Sequence, residues 1–467
     1  MVEIKSKFTF FRSNNIVYLD NAATTQVPDK VIQIVKSSLQ NRGNPHRGAH
    51  TLATKNEEKI ELSRANIARF INCKSEELVF TNNTTDSINL AIDSITELIK
   101  KGDEIIIPIG EHHSNLLPFD KLIKKGAILK TISQKDGFIN IEELESKLSS
   151  KTKIIALQHC SNVLGNIQNV EKIGRIIKKH NPKIIYFVDG AQAVAHIPVD
   201  IKKIKCDFYA FSGHKMYAPS GIGGLYVSKK IWPLISLIRQ GGGTISNASI
   251  VCSKEKSTLV YDKINSLIGL EGGTPNVEGI IGLSEAVSFI RSIGFEEIVS
   301  HEQELLKITT DKLSQIEEIK IIGADDLKKK IGVISFIVKD ESVKDIGNYL
   351  NKRKIAIRYG SHCAFPLIDD IGGETLRISF GCYNDKEDIE RTVQELQFYL
   401  DKKKGLIKNK NLEVFRDQPY YLNRLPVNKA NNVIRLITNS IIEQNKTEVI
   451  IQAGHFLAIP DIETNSF

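Results

Sequence analysis

From about residue 16 to residue 230, short apolar runs alternate with longer stretches whose apolar positions recur at helical spacing. Residues 78–81, 104–109, 154–158, 184–188, 207–211 and 224–227 are brief, mostly rich in Ile, Val and Phe, and bounded by turn chemistry. Runs of that length and composition predict buried strands. Between them, residues 86–100 place Ile88, Ala91, Ile92, Ile95 and Ile99 on one helical face. Strands alternating with helices predict an α/β fold, a mostly parallel sheet covered on both faces. Such sheets hold ligands at the carboxyl ends of their strands. After Gly279 a long helical stretch begins, followed by strand patterns at 332–338 and 355–358. A further one at 375–380 alternates Leu376, Ile378 and Phe380 with Arg377 and Ser379. This second region reads as a smaller α+β domain. From the lysine run at 402–404 the composition shifts to Asn and Lys, with a helix expected at 433–442 and a strand at 448–451. The chain shows no internal repeat.

Composition narrows the class. At 467 residues the chain has room for about three domains at roughly 150 residues each. Hydrophobic residues are 41% and charged residues 25%, the balance of a globular protein rather than a disordered one. Lys+Arg exceed Asp+Glu by 63 to 55, a net charge of +8 without a clustered basic helix, so nucleic acid is not expected as a partner. No apolar run approaches the roughly 18 residues of a membrane span, so no membrane association is expected. Residues 1–12 mix charge and aromatics without a signal core. Six cysteines (Cys73, Cys160, Cys206, Cys252, Cys363 and Cys382) form no C-x-x-C pair, which fits a reducing, cytoplasmic setting.

Polar residues cluster just beyond the strands. Thr81-Asn82-Asn83-Thr84-Thr85-Asp86 joins a strand to a helix and offers hydroxyls and backbone N–H groups to a phosphate, although Thr and Asn also serve as plain N-caps. Glu111-His112-His113 follows the next strand. Asp189 ends the strongest apolar run, where a carboxylate is costly unless it meets a cation. Ser212-Gly213-His214-Lys215 follows a further strand, ahead of the glycine-rich turn at 220–224. A desolvated lysine amine can form Schiff bases, and an Asp facing a pyridinium nitrogen is the usual electronic lever of pyridoxal phosphate.

These stretches, taken in order, make the chain similar to the fold-type I, pyridoxal-phosphate-dependent class V aminotransferases, and among them to SufS-type cysteine desulfurases and selenocysteine lyases. The resemblance is carried by Tyr18-Leu19-Asp20-Asn21-Ala22-Ala23-Thr24-Thr25, His46-Arg47-Gly48-Ala49-His50-Thr51-Leu52 and Glu111-His112-His113-Ser114-Asn115. It continues through Ser161-Asn162-Val163-Leu164-Gly165, the Asp189 and Lys215 motifs and Gly273-Thr274-Pro275-Asn276-Val277. It implies a large cofactor-binding domain at 16–280 and a small domain at 281–403. An N-terminal segment, 1–15, would pack on the small domain, and 404–467 would be an extension without a counterpart. By resemblance, Lys215 would carry the cofactor and later move the substrate α-proton. Asp189 would face the pyridinium nitrogen, Gln192 the phenolic oxygen and His112 the ring face. Thr84, Thr85, Ser212 and His214 would hold the phosphate, with Thr274 reaching that of a neighbouring subunit in a homodimer. Arg377, helped by Asn162 and Arg358, would grip the substrate carboxylate. His46, His50, His112 and His113 lack recognised ligand spacing, and no metal is expected.

Cys363 sets the expected reaction. It lies in Arg358-Tyr359-Gly360-Ser361-His362-Cys363-Ala364-Phe365-Pro366, where Arg358 and His362 would favour a thiolate and the loop would admit substrate. The resemblance makes Cys363 the nucleophile that takes sulfur from L-cysteine as a persulfide, leaving alanine, with a SufE- or SufU-like acceptor and iron–sulfur cluster assembly downstream. Selenocysteine lyase, another class V enzyme and a non-catalytic scaffold are the alternatives. The family commonly has His where Ser361 stands, Gln or Met where Phe365 stands, and Gly where Asn83 stands. The other five cysteines are expected to be core or surface thiols. In the extension, Tyr420, Tyr421 and the 433–442 helix are candidates for docking or dimer capping.

Overall fold

The computed structural model describes residues 2–45, 48–253 and 256–405. The expected elements of the 404–467 extension, including Tyr420 and Tyr421, and His46 and Arg47 of the second motif, lie outside the described residues. The chain divides into a compact unit through Ile389 and a second unit from Glu390. The described part of the second unit continues the helix Lys386–Lys403 and ends at Gly405.

Seven strands form the main sheet of the first unit: β1 (Leu78–Thr81), β2 (Glu104–Pro108), β3 (Ile128–Ile132), β4 (Thr152–Gln158), β5 (Ile185–Asp189), β6 (Phe208–Ser212) and β7 (Gly223–Val227), in the order β1-β7-β6-β5-β4-β2-β3. Neighbours from β3 to β6 are parallel, while β7 runs antiparallel between β6 and β1. The mostly parallel sheet expected from the sequence is therefore present, with 78–81 unchanged and the other strand limits shifted by at most two residues. The edge strand β3, mostly exposed, escaped the sequence reading because its Ile-Leu-Lys-Thr-Ile run carries no buried block.

Alternation explains why these strands read as solid apolar runs. In β5, Tyr186 and Val188 join the core on one face of the sheet while Ile185 and Phe187 join that on the other. Both faces are covered, so neither parity of the strand can be polar. The helix α3 (Thr84–Ile95) supplies part of one layer through buried Ile88, Leu90, Ala91, Ile92 and Ile95. Earlier in the chain lie α1 (Asp29–Gln40) and α2 (Thr51–Phe70). Helix α3 begins two residues before the expected start because the Asn83 side chain accepts from the Asp86 N–H at 3.0 Å, capping the first turn. Helix α4 (Val170–His180) buries Val170, Ile173, Gly174 and Ile177, the spacing of one helical face, and ends in Lys178, Lys179 and His180, which complement its dipole.

Register places the chemistry. Gln158, Asp189 and Ala210 lie side by side across β4, β5 and β6 at their carboxyl ends. Gly190 follows at once, and a Cβ there would overlap the Tyr209 ring, whose hydroxyl is held by His159 Nδ1 at 3.0 Å. Gly190→Ala is expected to destabilise the fold by about 1–3 kcal/mol through overpacking and to displace the adjacent carboxylate. Paired denaturation curves of wild type and variant measure the effect.

The exposed hairpin β8 (Ile245–Cys252) and β9 (Ser257–Lys263) leads to the helices α5 (Val277–Ile293) and α6 (Phe295–Leu313). A four-stranded antiparallel sheet follows, formed by β10 (Ile319–Ile322), β11 (Val333–Val338), β12 (Arg358–Gly360) and β13 (Thr375–Ser379) in the order β10-β11-β13-β12. A short parallel pair, Val17–Tyr18 with Ile355–Ala356, brings the start of the chain alongside this sheet. Near the N-terminus, Phe8 is fully buried and meets the rings of Tyr217, Phe289 and Tyr383 edge-on.

Candidate active site

The strand ends open on a cavity of about 780 Å³. All the residues singled out from the sequence line it except Thr274, which stands exposed on the turn before α5. Residues as far apart in the chain as Thr84 and Arg377 thus converge on one site, together with the Cys363 loop. Its floor is the end of the main sheet, and its rim is supplied by β12, β13 and the loop after β12.

Asp189 is buried at the end of β5, and its Oδ1 accepts from the Ala191 N–H at 2.9 Å. Burial pushes its pKa up, against the lowering effects of that bond and of Lys215. Lys215 follows β6, and burial brings its amine down to about 8 despite the opposing pull of Asp189. His112 is half-buried, its Nδ1 accepts from the Ser114 N–H at 3.1 Å, and burial holds its pKa down at about 3, with Lys215 adding to the effect. It presents a neutral ring at neutral pH. Gln192 Nε2 donates to Ala22 O at 2.7 Å, fixing the amide beside the cavity.

Hydroxyls gather at the α3 N-terminus. Thr84 N–H donates to Ser212 Oγ at 2.8 Å, the two hydroxyls lie 2.6 Å apart, and Thr85 Oγ1 meets Ser114 Oγ at 2.7 Å. With His214, whose pKa burial lowers to about 4, they form a neutral donor set at a helix N-terminus, the arrangement that receives phosphate.

On the opposite wall, Arg358 and Arg377 are directly paired in register on β12 and β13. Like charges so placed repel. Asp20 answers both: it accepts from Arg358 Nη2 at 2.8 Å and Nε at 3.0 Å, and from Arg377 Nη2 at 3.2 Å. Arg377, 2% exposed, also donates from Nη1 to Asn162 O at 2.8 Å. Burial lowers its pKa to about 10, which leaves it charged at neutral pH. Arg377 Nε, Asn162 Oδ1 and His362 Nδ1 are buried with no hydrogen-bond partner among the described residues. Native interiors rarely leave such atoms unpaired, so these three are open to a polar ligand or water in the cavity.

Cys363 sits at the cavity mouth and is exposed. Its sulfur lies close enough to Lys215, Arg358 and Arg377 to interact with the charge of each. His362 does not supply the positive charge expected of it. Its ring is buried, its Nε2 meets Thr375 Oγ1 at 2.8 Å, and burial lowers its pKa to about 3. Its backbone carbonyl instead accepts from Asn162 Nδ2 at 2.8 Å. His362 and Cys363 have φ of 49° and 56°, a left-handed pair without glycine, costing about 1–2 kcal/mol per residue. Cys160 also lines the cavity, but burial raises its pKa well above the ordinary thiol range and keeps it protonated.

Three contributors went unassigned in the sequence. Asp20 lay inside a quoted motif, but its charge partners are 338 and 357 residues away. Glu111 is buried beside the cavity, its pKa raised by burial to about 8, with Oε2 accepting from Asn115 Nδ2 at 2.6 Å. His113 contacts the Cys363 loop. Only a contact map could have exposed these pairings.

A family model for class V aminotransferases matches residues 17–392. The chain belongs to the class V aminotransferases. It is 40% identical over 391 residues to a probable cysteine desulfurase of Pyrococcus abyssi, covering 82% of this chain and 94% of that protein. It is 38% identical over 388 residues to a cysteine desulfurase of Salmonella agona, covering 82% and 92%. Among solved structures, the cysteine desulfurase of Thermococcus onnurineus NA1 superposes with a TM-score of 0.80 at 36% identity, covering 85% of this chain and 97% of that one. A cysteine desulfurase of Escherichia coli superposes with a TM-score of 0.77 at 29% identity, covering 85% and 98%. The class V family is pyridoxal-phosphate dependent, and the fold here is its fold-type I architecture. The site fits that group: a buried carboxylate, a desolvated lysine, a neutral ring and a hydroxyl-lined helix N-terminus each match one of its parts. Among the described residues no helix is long and apolar enough to cross a membrane.

Proposed function

We propose that the protein is an L-cysteine desulfurase that forms a persulfide on Cys363. The observation that carries this reading is the exposed Cys363 at the mouth of a cavity that also holds Lys215, Asp189 and Arg377. Lys215 would hold pyridoxal phosphate through its amine, with Asp189 toward the ring nitrogen, Gln192 toward the phenolic oxygen, His112 toward the ring face, and Thr84, Thr85, Ser212 and His214 toward the phosphate. Pyridoxal phosphate, when bound, supplies an electron-accepting ring to the substrate's α-carbon.

The residues divide the remaining work. Arg377 binds the substrate carboxylate through its free Nε, with Asn162 alongside and Arg358 held ready by Asp20. Lys215 Nζ takes and returns the α-proton. Cys363 Sγ attacks the substrate sulfur: an S–S bond forms, the C–S bond breaks, and its electron pair stays with carbon, which takes a proton. L-Cysteine and a thiol become L-alanine and a persulfide, with no external oxidant. Incubating the purified protein with pyridoxal phosphate and L-cysteine tests this. Alanine, sulfide and a 32-dalton addition at Cys363, about the mass of one sulfur atom, should appear together, and alanine without that adduct would remove Cys363 from the reaction.

Arg377→Lys should raise KM for cysteine by about 10–100-fold, since a point charge loses the planar fork at a cost of about 1.5–3 kcal/mol. Initial rates across cysteine concentration measure it.

The same reading gives a large domain at 16–280, a small one at 281–403 and a homodimer in which Thr274 reaches the neighbour's phosphate site. Thr274 is exposed, and the β8–β9 hairpin carries exposed Ile250, Val251, Leu259 and Val260, a surface suited to burial by a second copy. The persulfide passes to a SufE- or SufU-like acceptor for iron–sulfur cluster assembly in the cytoplasm. The exposure of Cys363 supports transfer to a protein rather than to a buried ligand.

A further inference from the structure

The loop that carries Cys363 is attached to the rest of the cavity wall by contacts that converge on one residue, through its backbone and its ring. His113 N–H donates to the Cys363 carbonyl at 2.8 Å. Its Nε2 accepts from the Phe365 N–H at 3.1 Å. The His113 and Phe365 rings stack with centroids 5.0 Å apart and planes 27° apart. Phe365 is nonetheless 57% exposed, so core burial does not account for an aromatic side chain there. Leading into these contacts, the backbone passes through the left-handed pair His362–Cys363, a conformation that holds only when its surroundings over-determine it.

We propose that His113 and Phe365 form a clasp that sets the position of the Cys363 thiol for attack on the substrate, with His113 as a positioning residue. The inference rests on the desulfurase reading and adds a determinant of thiol placement to it. Nε2 must be unprotonated to accept from Phe365, which places the neutral ring's proton on Nδ1. Burial lowers the pKa of His113 and so preserves the acceptor at neutral pH. Asn162 supports the same loop from the other side through its bond to His362 O, so the clasp fixes the outer end of a segment whose inner end is already tied. With the clasp open, the thiol keeps its chemistry but loses its aim, and an error of about 1 Å in the attacking atom costs on the order of 100-fold in rate.

The test uses the full-length, cofactor-loaded protein and the variants His113→Ala, His113→Gln, His113→Phe and Phe365→Ala. Two quantities are read: the single-turnover rate of Cys363 persulfide formation from L-cysteine, and the rate of Cys363 alkylation by iodoacetamide, followed by mass spectrometry. His113→Ala and Phe365→Ala should slow persulfide formation by about 10–100-fold and speed alkylation severalfold. The cofactor absorbance change on adding cysteine should keep its half-saturation. His113→Gln, which restores an acceptor near the Nε2 position, should recover most of the lost rate, whereas His113→Phe, which keeps only the stacking, should recover less. Phe365 is exposed, so its alanine variant keeps the test valid if a His113 variant fails to fold. Unchanged alkylation and persulfide rates in both alanine variants overturn the clasp, and His113→Gln matching His113→Ala overturns the role of the acceptor bond. A wild-type protein that makes no persulfide overturns the desulfurase reading instead, and the alkylation comparison still decides the clasp.

Discussion

Lys215→Ala is expected to strip the protein of retained pyridoxal phosphate and to lower desulfuration by about 10⁴-fold or more, since the proposed role combines covalent attachment with proton transfer. The structure gives the reason for the size of the effect. An ordinary lysine amine is neutral in roughly one molecule in 3,000 at pH 7, whereas one brought down to about 8 is neutral in about a tenth. Burial accounts for that difference, and the opposing charge of Asp189 keeps it from going further. Among the described residues no other lysine lines the cavity, and none of them offers a second amine. The wild-type protein, purified and dialysed, should keep a visible absorbance band that the variant lacks. Because the neutral amine is the reactive form, cofactor uptake by cofactor-free wild type should quicken from pH 7 to about pH 8 and level off above it. A band that survives dialysis in Lys215→Ala would show that this amine does not hold the cofactor.

The sheet was legible because its strands are buried on both faces. Runs such as 184–188 and 207–211 leave no polar parity to confuse strand with helix, and their ends carry Asp189 and Ser212 where parallel sheets bind ligands. The small antiparallel sheet was less clear. Thr375–Ser379 looks amphipathic in sequence, yet all five residues are buried, because Arg377 turns into the cavity wall rather than into solvent. The exposed hairpin from Ile245 to Lys263 has no buried face, so hydrophobic pattern could not announce it.

Within the site, local motifs exposed what the chain supplies next to its own strands and hid what it supplies across distance. Asp189, Ser212, His214 and Lys215 follow strands and were found. Asp20 became visible only when the short pairing of Val17–Tyr18 with Ile355–Ala356 set it against Arg358 and Arg377. The error over His362 has the same origin. Sequence places a histidine beside Cys363 and suggests a cation, whereas burial against Thr375 makes that ring neutral and assigns the nearby charge to Lys215, Arg358 and Arg377. Proximity in sequence was a poor guide to electrostatics there because the left-handed backbone at 362 and 363 sends adjacent side chains into different surroundings.

Cys363→Ala should separate cofactor chemistry from sulfur transfer. The cofactor band and its response to added cysteine should persist, since Lys215, Asp189 and the hydroxyl group set at α3 are untouched, while sulfide release from L-cysteine falls by about 10³-fold, the scale of losing an activated nucleophile. Among the described residues Cys160 is the one other cysteine lining the cavity, and it cannot take over: burial and the nearby charge of Glu302 keep it in the thiol form. Cys160→Ala serves as the control and should leave turnover within about twofold, as expected for a thiol outside the reaction. L-Selenocysteine offered to the same proteins distinguishes the lyase alternative. A desulfurase loses cysteine turnover with Cys363, whereas a selenocysteine lyase prefers the selenium substrate in wild type and keeps that activity in Cys363→Ala. Normal cysteine desulfuration by Cys363→Ala would move the nucleophile elsewhere in the molecule, and with it the reason for an exposed thiol on a strained loop.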